Sequence, residues 1–250
     1  MRTSFLTIFV LAATSLVAGA PLDTRGNNFP SFALGGNAQS GNSGNANGGG
    51  VYNAGGFIWN QPFANKAGKG GLTQSGTAQG GSGPGGGGFA VSGNTGNAKG
   101  GDVVNTGSVI VNGYKSNQAG NGGTAQSGNA YGGNAWKRGN PPSFSFAKGG
   151  NAQSGNSGNA DGGNVVNAGG FIWNQPFANK AGKGGLTQSG TAQGGSGPGG
   201  GGSAVSGNTG NANGGSIGNF GGVIVNGYKS NQAGNGGTAQ SGNAYGGNAS

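Results

Sequence analysis

Two stretches of one hundred residues in this chain are near-copies of each other, so the fold has to be explained for one unit that occurs twice. Residues 35–134 align with residues 149–248 at a constant offset of 114, and ten of the hundred aligned positions differ. A dibasic pair, Lys137-Arg138, lies between the two copies. The basic residues therefore mark the boundary between units, where a processing protease would cut.

The first residues have the pattern of a secretory signal peptide. An apolar run, residues 5–17, follows a basic residue and is itself followed by the small residues Ala18-Gly19-Ala20. We expect residues 1–19 to be the signal peptide and residues 20–25, which end at Arg25, to be a short propeptide. The apolar run is too short to span a bilayer and no second run follows it, so the sequence predicts a secreted, extracellular protein without stable membrane insertion.

The dibasic pair divides the rest of the chain into two expected products. We expect a kexin-type protease to cut after Arg25 and at Lys137-Arg138, because basic sites in exposed, irregular segments are accessible to proteases. The next residues, 139–142, contain two prolines, which interrupt helices and strands because proline lacks a backbone N–H group. The products would be a Gly/Asn-rich unit 1, residues 26–136, and unit 2, residues 139–250. The alternative is a solvated surface pair that is never cut.

Composition limits the kind of core that either unit can build. Glycine accounts for 68 of the 250 residues, and cysteine and histidine are absent. The chain therefore has neither the disulfides that compensate for a small core in secreted proteins nor the ligands of an ordinary zinc site. Large apolar side chains are few when set against the conformational entropy that glycine loses on folding. We expect a mostly irregular or disordered chain in isolation, unless dense main-chain hydrogen bonding or neighbouring molecules order it.

Three kinds of segment alternate in each unit and leave ordered alternatives open. Tracts of Gly-Asn-x steps, such as residues 35–46, could form polyproline-II-like strands, because glycine permits the close approach of neighbouring chains. These tracts echo within the unit as a weak inner repeat. Two apolar islands, residues 51–63 and 103–114, predict short β-strands, and residues 81–88 resemble a flexible tether. If ordered, the chain is expected to form short strands, a β-solenoid or another glycine-rich stack, with a helix only in the signal peptide.

No catalytic, cofactor-binding or metal-binding constellation emerges from the residues. Asp102 and Asp161 occupy different positions of the two units, so neither is required if both units do the same work. Histidine and cysteine, the usual general base and thiol nucleophile, are absent. The formal net charge is +9, but the lysines are scattered and arginine is absent from both mature units, so phosphate attraction would be weak. We therefore expect no enzyme, no cofactor and no nucleic-acid partner.

The stretch richest in large side chains is a candidate for binding a partner. Residues 55–66 recur unchanged as residues 169–180. Large aromatic residues are common anchors when a segment docks on another protein. The alternative is a strand nucleus within each unit. The candidate partner-binding residues are Phe57, Ile58, Trp59, Phe63, Phe171, Ile172, Trp173 and Phe177.

A second candidate motif is a short β-branched run that recurs in both units. The run is uncharged and free of proline, which favours cross-β pairing between molecules. The Asn-Gly pair that follows it predicts a turn. The candidate self-association residues are Val109, Ile110, Val111, Val223, Ile224 and Val225.

The layout and the composition resemble two groups of fungal proteins. A signal peptide, a propeptide ending in Arg25 and near-identical units separated by Lys137-Arg138 resemble fungal kexin-processed repeat precursors, which implies a secreted, multi-copy product. The mature composition resembles the glycine/serine-rich secreted effectors of rust fungi, although asparagine is unusually abundant here. That second resemblance implies action on a host plant protein to suppress defence. Neither group supplies catalytic residues.

These resemblances favour a secreted, non-enzymatic interaction protein, an effector that docks on a host protein, with entry into a host cell left open. The alternative is a self-assembling structural peptide of the cell wall or cell surface. A bundle of glycine-rich helices that binds ice or another surface is a third interpretation. The residues by themselves favour neither of the first two.

Overall fold

The computed structural model describes residues 34–136 and 147–249, which form one stack of four similar coils. Paired positions in successive coils are 52 residues apart, except between the second and third coils, where they are 62 apart. The expected signal peptide, propeptide and dibasic site all lie outside the described residues. Following the bridges that join Leu34, Gly86 and Lys148, we define coil 1 as 34–85, coil 2 as 86–136, coil 3 as 148–199 and coil 4 as 200–249.

The inner repeat explains the 114-residue offset between the two units. One step of 52 residues and one of 62 residues together make that offset, so each unit supplies two coils. The longer step contains the segment with Lys137-Arg138. The second unit therefore continues the stack that the first begins, and the two units share one core.

Each coil contributes the same series of short strands, and every strand pair between coils is parallel and in register. The long strand of coils 1 and 2 is divided in coils 3 and 4 by a pair of glycines. No helix occurs in the described ranges. The strands are β1 (Ala38–Gln39), β2 (Val51–Asn60), β3 (Asn65–Lys66), β4 (Leu72–Gln74), β5 (Ala78–Gln79), β6 (Ala90–Val91), β7 (Val103–Asn112), β8 (Asn117–Gln118), β9 (Thr124–Gln126), β10 (Ala130–Tyr131), β11 (Ala152–Gln153), β12 (Val165–Ala168), β13 (Phe171–Asn174), β14 (Asn179–Lys180), β15 (Leu186–Gln188), β16 (Ala192–Gln193), β17 (Ala204–Val205), β18 (Ile217–Phe220), β19 (Val223–Asn226), β20 (Asn231–Gln232), β21 (Thr238–Gln240) and β22 (Ala244–Tyr245).

Five parallel sheets run along the stack, one for each strand position of the coil. Four of them have one strand from each coil, in the orders β1-β6-β11-β17, β3-β8-β14-β20, β4-β9-β15-β21 and β5-β10-β16-β22. The fifth, which we call the long sheet, has six strands: β7 pairs with β2 on one side and with β12 and β13 on the other, and these continue to β18 and β19. The predicted apolar strands are confirmed and form this long sheet.

In the Gly-Asn-x tract of coil 1, the backbone donors to the next coil are Ser40, Ser43 and Ala46. Their spacing is the three-residue period of polyproline II, which makes no internal hydrogen bonds. Their backbone groups are paired between coils instead. Ser43 donates its N–H to the carbonyl of Asn94 at 3.0 Å. Oδ1 of Asn42 accepts the N–H of Asn94 at 2.7 Å, and Oγ of Ser40 accepts the N–H of Gly93 at 2.8 Å. Asparagine and serine are therefore abundant because each completes the backbone bonding of its neighbour.

The two tracts of each coil lie back to back at backbone-contact distance. Gly68 donates its N–H to the carbonyl of Gly49 at 2.9 Å and accepts the N–H of Gly101 at 2.8 Å, so hydrogen bonds zigzag between the layers along the stack. A Cβ atom on Gly48 would overlap the carbonyl of Gly68. Glycine is needed here because no other residue permits this approach.

The core consists of small side chains and amides. One column of buried alanines includes Ala38, Ala90 and Ala152, and a shorter column contains Ile58, Ile110 and Ile172. A third cluster contains Ala67, Val103 and Val165. Buried asparagines of successive coils are hydrogen-bonded to one another. Native packing is thus reached without the large apolar side chains of an ordinary core.

The expectation of a mostly disordered chain is wrong, whereas the alternative of a β-rich, solenoid-like stack is confirmed. The disorder argument weighed few large apolar side chains against glycine entropy, but main-chain bonding between coils supplies the missing stabilisation. The supposed tether is also ordered. Gly83 donates its N–H to Asn134 at 3.0 Å, and Gly88 donates to Gly81 at 2.7 Å.

Candidate functional site

Three ladders of asparagine side chains run through the wide lobe of the stack, which is formed by residues 50–67 in coil 1. Nδ2 of Asn60 donates to Oδ1 of Asn112 at 2.7 Å, Asn112 donates to Asn174 at 2.8 Å, and Asn174 donates to Asn226 at 2.8 Å. The bonds between coils all run toward coil 4, so the ladders have a direction, whereas other amide bonds, such as that from Asn179 to Asn174, cross between ladders within one coil. The other two ladders are Asn53, Asn105, Asn167, Asn219 and Asn65, Asn117, Asn179, Asn231.

Beside the ladders, each isoleucine of the apolar column contacts a glycine of the following coil. Cδ1 of Ile110 lies 3.2 Å from the point that a Cβ atom of Gly169 would occupy. Ile58 and Ile172 make the same kind of contact and are buried. Ile224 has no following coil among the described residues and is 38% exposed. The stack therefore ends in an isoleucine without its glycine.

The outward face of the long sheet exposes aromatic side chains. In β2, Ile58 points inward, whereas Phe57 and Trp59 on either side of it are 64% and 67% exposed. Strand register continues both positions along the stack. The result is an aromatic face made of two columns: Phe57, Val109, Phe171, Val223 and Trp59, Val111, Trp173, Val225.

A turn follows the long strand in every coil and carries a second aromatic column. The carbonyl of Gln61 accepts the N–H of Ala64 at 3.2 Å, and Phe63, the third residue of the turn, has a φ of 61°. This left-handed conformation is ordinarily taken by glycine or asparagine. Lys115 has a φ of 50° at the corresponding position. The rings of Phe63, Tyr114, Phe177 and Tyr228 pack edge to face with centroid separations of 5.8, 5.9 and 5.9 Å.

The structure separates the predicted partner-binding residues into different environments. Ile58 and Ile172 are buried in the apolar column, so they cannot touch a partner while the coils remain stacked. The other six lie at the surface or partly at it. Phe57, Trp59, Phe63 and Trp173 are exposed, and Phe171 and Phe177 are half-buried.

The predicted self-association residues also differ in what surrounds them. Val109, Ile110 and Val111 lie in β7, which is paired on both sides within the chain. Val223, Ile224 and Val225 lie in β19, whose partner among the described residues is β13 alone. Their exposures are 53%, 38% and 45%. One open edge of the long sheet is therefore at coil 4, and the other is β2 of coil 1, which pairs only with β7 among the described residues.

Sequence reasoning missed the asparagine ladders, although a spacing signal was present. The three ladder asparagines of coil 1, Asn53, Asn60 and Asn65, are separated by seven and five positions. The same spacing recurs in all four coils. Asparagine at a fixed interior position is readily overlooked because amides are ordinarily found on the surface.

A polar cleft of about 400 Å³ opens near the start of the long strand, lined in part by Lys99, Asp102 and Asp161. Both carboxylates already accept a backbone N–H of the next coil: Asp102 accepts that of Asn164 at 2.6 Å, and Asp161 accepts that of Asn213 at 2.9 Å. Asparagine has this role elsewhere in the tracts, so the two aspartates act structurally. Within the described ranges, no three acidic, histidine or cysteine side chains converge to hold a metal ion.

The part of the chain that the structure describes has no helix long and apolar enough to cross a membrane.

Comparisons with known proteins leave the chain without a family. No protein-family model and no curated protein matches the sequence. Among solved structures, it is similar to a springtail antifreeze protein from Granisotoma rainieri, described as a nine polyproline type II helical bundle whose crystal waters match the ice lattice. The identity is 26%, the match covers 72% of this chain and 91% of that chain, and the TM-score is 0.11. A match with that TM-score carries no argument about fold or function.

Proposed function

We propose that this chain is a secreted, non-enzymatic structural protein that self-assembles at a cell wall or cell surface. The observation that carries the proposal is the open end of the stack at coil 4. There Val223, Ile224 and Val225 are 53%, 38% and 45% exposed, and the edge of β19 is unpaired among the described residues. Solenoids that remain monomeric need a polar terminal cap, and an uncovered strand edge is a template for pairing with another chain.

Charge also bears on assembly. Each expected mature unit carries four lysines and one aspartate, so the sides of separate stacks repel one another. Salt screens such surface charges over about 8–10 Å at physiological ionic strength. Assembly should therefore strengthen as salt is added, because the contacts at the coil ends are apolar and hydrogen-bonded.

Analytical ultracentrifugation of the purified chain across the micromolar range tests the proposal. We expect the mass-average molar mass to rise with concentration and with salt, and electron microscopy to show elongated particles. A monomer at every concentration and salt level would contradict the proposal. Electron microscopy of the same samples also separates elongated particles from amorphous aggregate.

A second candidate function is that of a secreted effector that acts on a host plant protein to suppress defence. The aromatic face supports this candidate, since Phe57, Trp59 and Trp173 are 64%, 67% and 47% exposed. Exposed aromatic patches of this kind are common at protein interfaces. No part of the stack has to unfold to present them.

The two functions can be separated by substitution. Trp59→Ala with Trp173→Ala removes the large rings of the aromatic face and leaves the coil ends intact, whereas Leu72→Ala removes an exposed apolar side chain of a different sheet. An effector would lose suppression of the plant oxidative burst with the tryptophan variant and keep it with the leucine control. Equal suppression by both variants, or none by the unaltered chain, would rule out docking through this face.

A further inference from the structure

We infer that a second copy of this chain stacks head to tail on the first, with coil 4 of one copy against coil 1 of the next. The register is the one that joins coil 2 to coil 3 within the chain. This inference rests on the proposed self-assembly and specifies its partner and geometry. Its starting point is that the contact between coils 2 and 3 is already a contact between the end of unit 1 and the start of unit 2.

The residues that make that internal contact recur at the two ends of the stack. Coil 4 repeats coil 2, and coil 1 repeats coil 3, with the ten differences between the units distributed over both pairs. The interior positions Gly107, Ile110, Asn112 and Asn117 of coil 2 are unchanged in coil 4. The ten differing pairs are Asn47/Asp161, Gly50/Asn164, Tyr52/Val166, Phe89/Ser203, Lys99/Asn213, Asp102/Ser216, Val103/Ile217, Val104/Gly218, Thr106/Phe220 and Ser108/Gly222.

Backbone hydrogen bonds show how the internal junction is made. Ser92 of coil 2 donates its N–H to the carbonyl of Gln153 in coil 3 at 2.9 Å, and Thr95 donates to Asn156 at 2.9 Å. Tract residues of coils 1 and 3 donate to the following coil in the same way. Along these tracts, each coil thus donates backbone N–H groups to carbonyls of the following coil.

At the two ends of the stack, the corresponding N–H groups of coil 4 and carbonyl groups of coil 1 have no hydrogen-bond partner among the described residues. The N–H groups of Ser206, Thr209 and Ala212 in coil 4 have no acceptor among the described residues, although their coil 2 counterparts are bonded to coil 3. The carbonyls that correspond to the coil 3 acceptors have no donor in the described part of coil 1. These carbonyls belong to Gln39, Asn42 and Asn45.

The asparagine ladders end in the same complementary way. Asn226 receives a hydrogen bond from Asn174 but has no following coil to which its own amide can donate. Asn60 donates to Asn112, while no described donor reaches its Oδ1. A head-to-tail contact would continue the ladder from Asn226 to Asn60 of the next copy.

Coil 1 also contains glycines that nothing in the described part of its own chain requires. A Cβ atom on Gly41 or Gly44 would meet no described atom within 4 Å, and one on Gly55 would meet only a carbonyl at 3.9 Å. The corresponding residues Gly93 and Gly107 of coil 2 must be glycine, because a Cβ atom would overlap a carbonyl of coil 1. The bare backbone of coil 1 therefore has the surface that a preceding coil needs.

The apolar column supplies the matching projection. At the internal junction, Ile110 of coil 2 contacts Gly169 of coil 3. Ile224 of coil 4 corresponds to Ile110 but contacts no glycine of a following coil among the described residues. Gly55 of coil 1 corresponds to Gly169 but is contacted by no isoleucine of a preceding coil among them. Two coil 4 ends would oppose the N–H groups of their tracts to one another, and two coil 1 ends would oppose the carbonyls of theirs. The association is thus heterologous, and each added copy leaves a free end for the next.

Two variants block opposite ends of the chain. Gly55→Ala places a methyl group where the backbone of coil 4 of the preceding copy would lie. Ile224→Lys puts a charge into the contact at the other end. Gly56→Ala is the matched control for the first, because corresponding Cβ atoms at Gly170 and Gly222 would meet carbonyls at 3.2 and 3.4 Å without overlap. Val111→Lys, at the equivalent outward position of coil 2 and away from both ends, is the control for the second. All are made with Lys137→Ala, so that cleavage there creates no new ends.

Each blocked variant alone should remain monomeric, with the concentration needed for assembly raised at least about tenfold. Both controls should assemble as the unaltered chain does. The decisive sample is an equimolar mixture of Gly55→Ala and Ile224→Lys, since the free coil 4 of one fits the free coil 1 of the other. We expect this mixture to form a one-to-one dimer that grows no further.

The outcomes separate the inference from the proposed function. If the unaltered chain never assembles, the proposed function fails. If the unaltered chain assembles and the blocked variants do so equally well, stacks associate through their sides and the head-to-tail geometry is wrong. Dimers of Gly55→Ala alone would indicate pairing between two coil 4 ends, which also overturns it. Circular dichroism of each variant shows whether a loss of assembly comes from misfolding.

Discussion

Ile172 places its Cδ1 atom against Gly221 of the following coil, 3.3 Å from the point that a Cβ atom of that glycine would occupy. The carbonyl of Gly169 would overlap such an atom, so position 221 admits no side chain. The same contact joins Ile58 to Gly107. A column of isoleucines thus fits only over a column of glycines displaced by one coil, which fixes the register of the stack.

This contact predicts opposite outcomes for one substitution at two equivalent positions. Gly107→Ala should lower the free energy of unfolding by about 1–3 kcal/mol, because the new methyl group overlaps the backbone of coil 1. Gly55→Ala should change it by less than about 0.5 kcal/mol, because that methyl group has open space. Denaturant titration in the Ile224→Lys background measures both without a contribution from assembly. Equal losses at the two positions would contradict the assigned stacking.

The buried ladder predicts that Asn112 is structurally essential. Asn112→Ala removes the hydrogen bond from Nδ2 of Asn60 and the one to Oδ1 of Asn174, which leaves these groups only their bonds to Asn105 and Asn179. We expect the free energy of unfolding to fall by about 1–3 kcal/mol. Asn235→Ala is the control, since that side chain is exposed and makes no hydrogen bond among the described residues. The difference between their unfolding midpoints measures the ladder. If both variants unfold like the unaltered chain, the ladder does not stabilise the fold.

One substitution should be harmless or stabilising. Oγ of Ser116 is buried without a hydrogen-bond partner among the described residues, and the equivalent residues of the adjacent coils are Ala64 and Ala178. Ser116→Ala should therefore raise the free energy of unfolding by up to about 1 kcal/mol.

Ser127→Ala is the contrasting variant for this prediction. Oγ of Ser127 donates to the carbonyl of Gly155 and accepts the N–H of Gly190 at 2.6 Å. Its removal should destabilise the fold by about 1–3 kcal/mol. Thermal unfolding followed by circular dichroism compares the two, and a lower melting temperature for Ser116→Ala would indicate a hydrogen bond to its Oγ.

The left-handed turn residues predict a preference for glycine. Lys115 has a φ of 50° and its Nζ lies 4.9 Å from the ring centroid of Tyr114. Lys115→Gly and Lys115→Ala both lose that cation–π contact, but glycine alone is relieved of the conformational strain. We expect the glycine variant to be more stable than the alanine variant by about 1 kcal/mol. An alanine variant that is equally stable would show that the turn relaxes.

The shared core predicts the consequence of cleavage at Lys137-Arg138. Coils 2 and 3 are joined by the same ladders as the other coils, so the two products should remain one particle after a cut. Native mass spectrometry of culture fluid should give the mass of both units together, and denaturing conditions should give two separate pieces. Lys137→Ala should give one piece under both conditions. Two separate units under native conditions would contradict a shared core.

Local patterns in the sequence predicted some elements correctly. The β-branched run ending at Val111 indicated a strand, and β7 contains it. The Asn112-Gly113 pair indicated the turn that follows. These signals are local because a β-branched side chain and a turn residue act on their own backbone.

The arrangement of coils could not be predicted in this way. The sequences around Val51 and Val103 each predict a strand. Neither local sequence predicts that the two strands pair in parallel. The energetic argument for disorder also counted only large apolar side chains. It overlooked that Ala90, which is fully buried, contributes to a continuous core once identical positions are stacked.

Candidate sites were affected by the same limitation. Ile58 and Trp59 are equally hydrophobic neighbours, but one is buried and the other is 67% exposed. Their roles depend on which way the strand faces, and the alternation became clear only from the pairing of β2 with β7.

The recurrence of coils 1 and 2 as coils 3 and 4 has an evolutionary consequence. A further duplication of the unit would add two coils and lengthen the rod by about 9.5 Å, twice the spacing between strands. No compensating substitution would be required, because the new contact between units would repeat the existing contact between coils 2 and 3. The length of the rod in relatives of this chain would then depend on the number of units in the chain. Selection could change that length without altering the chemistry of any surface.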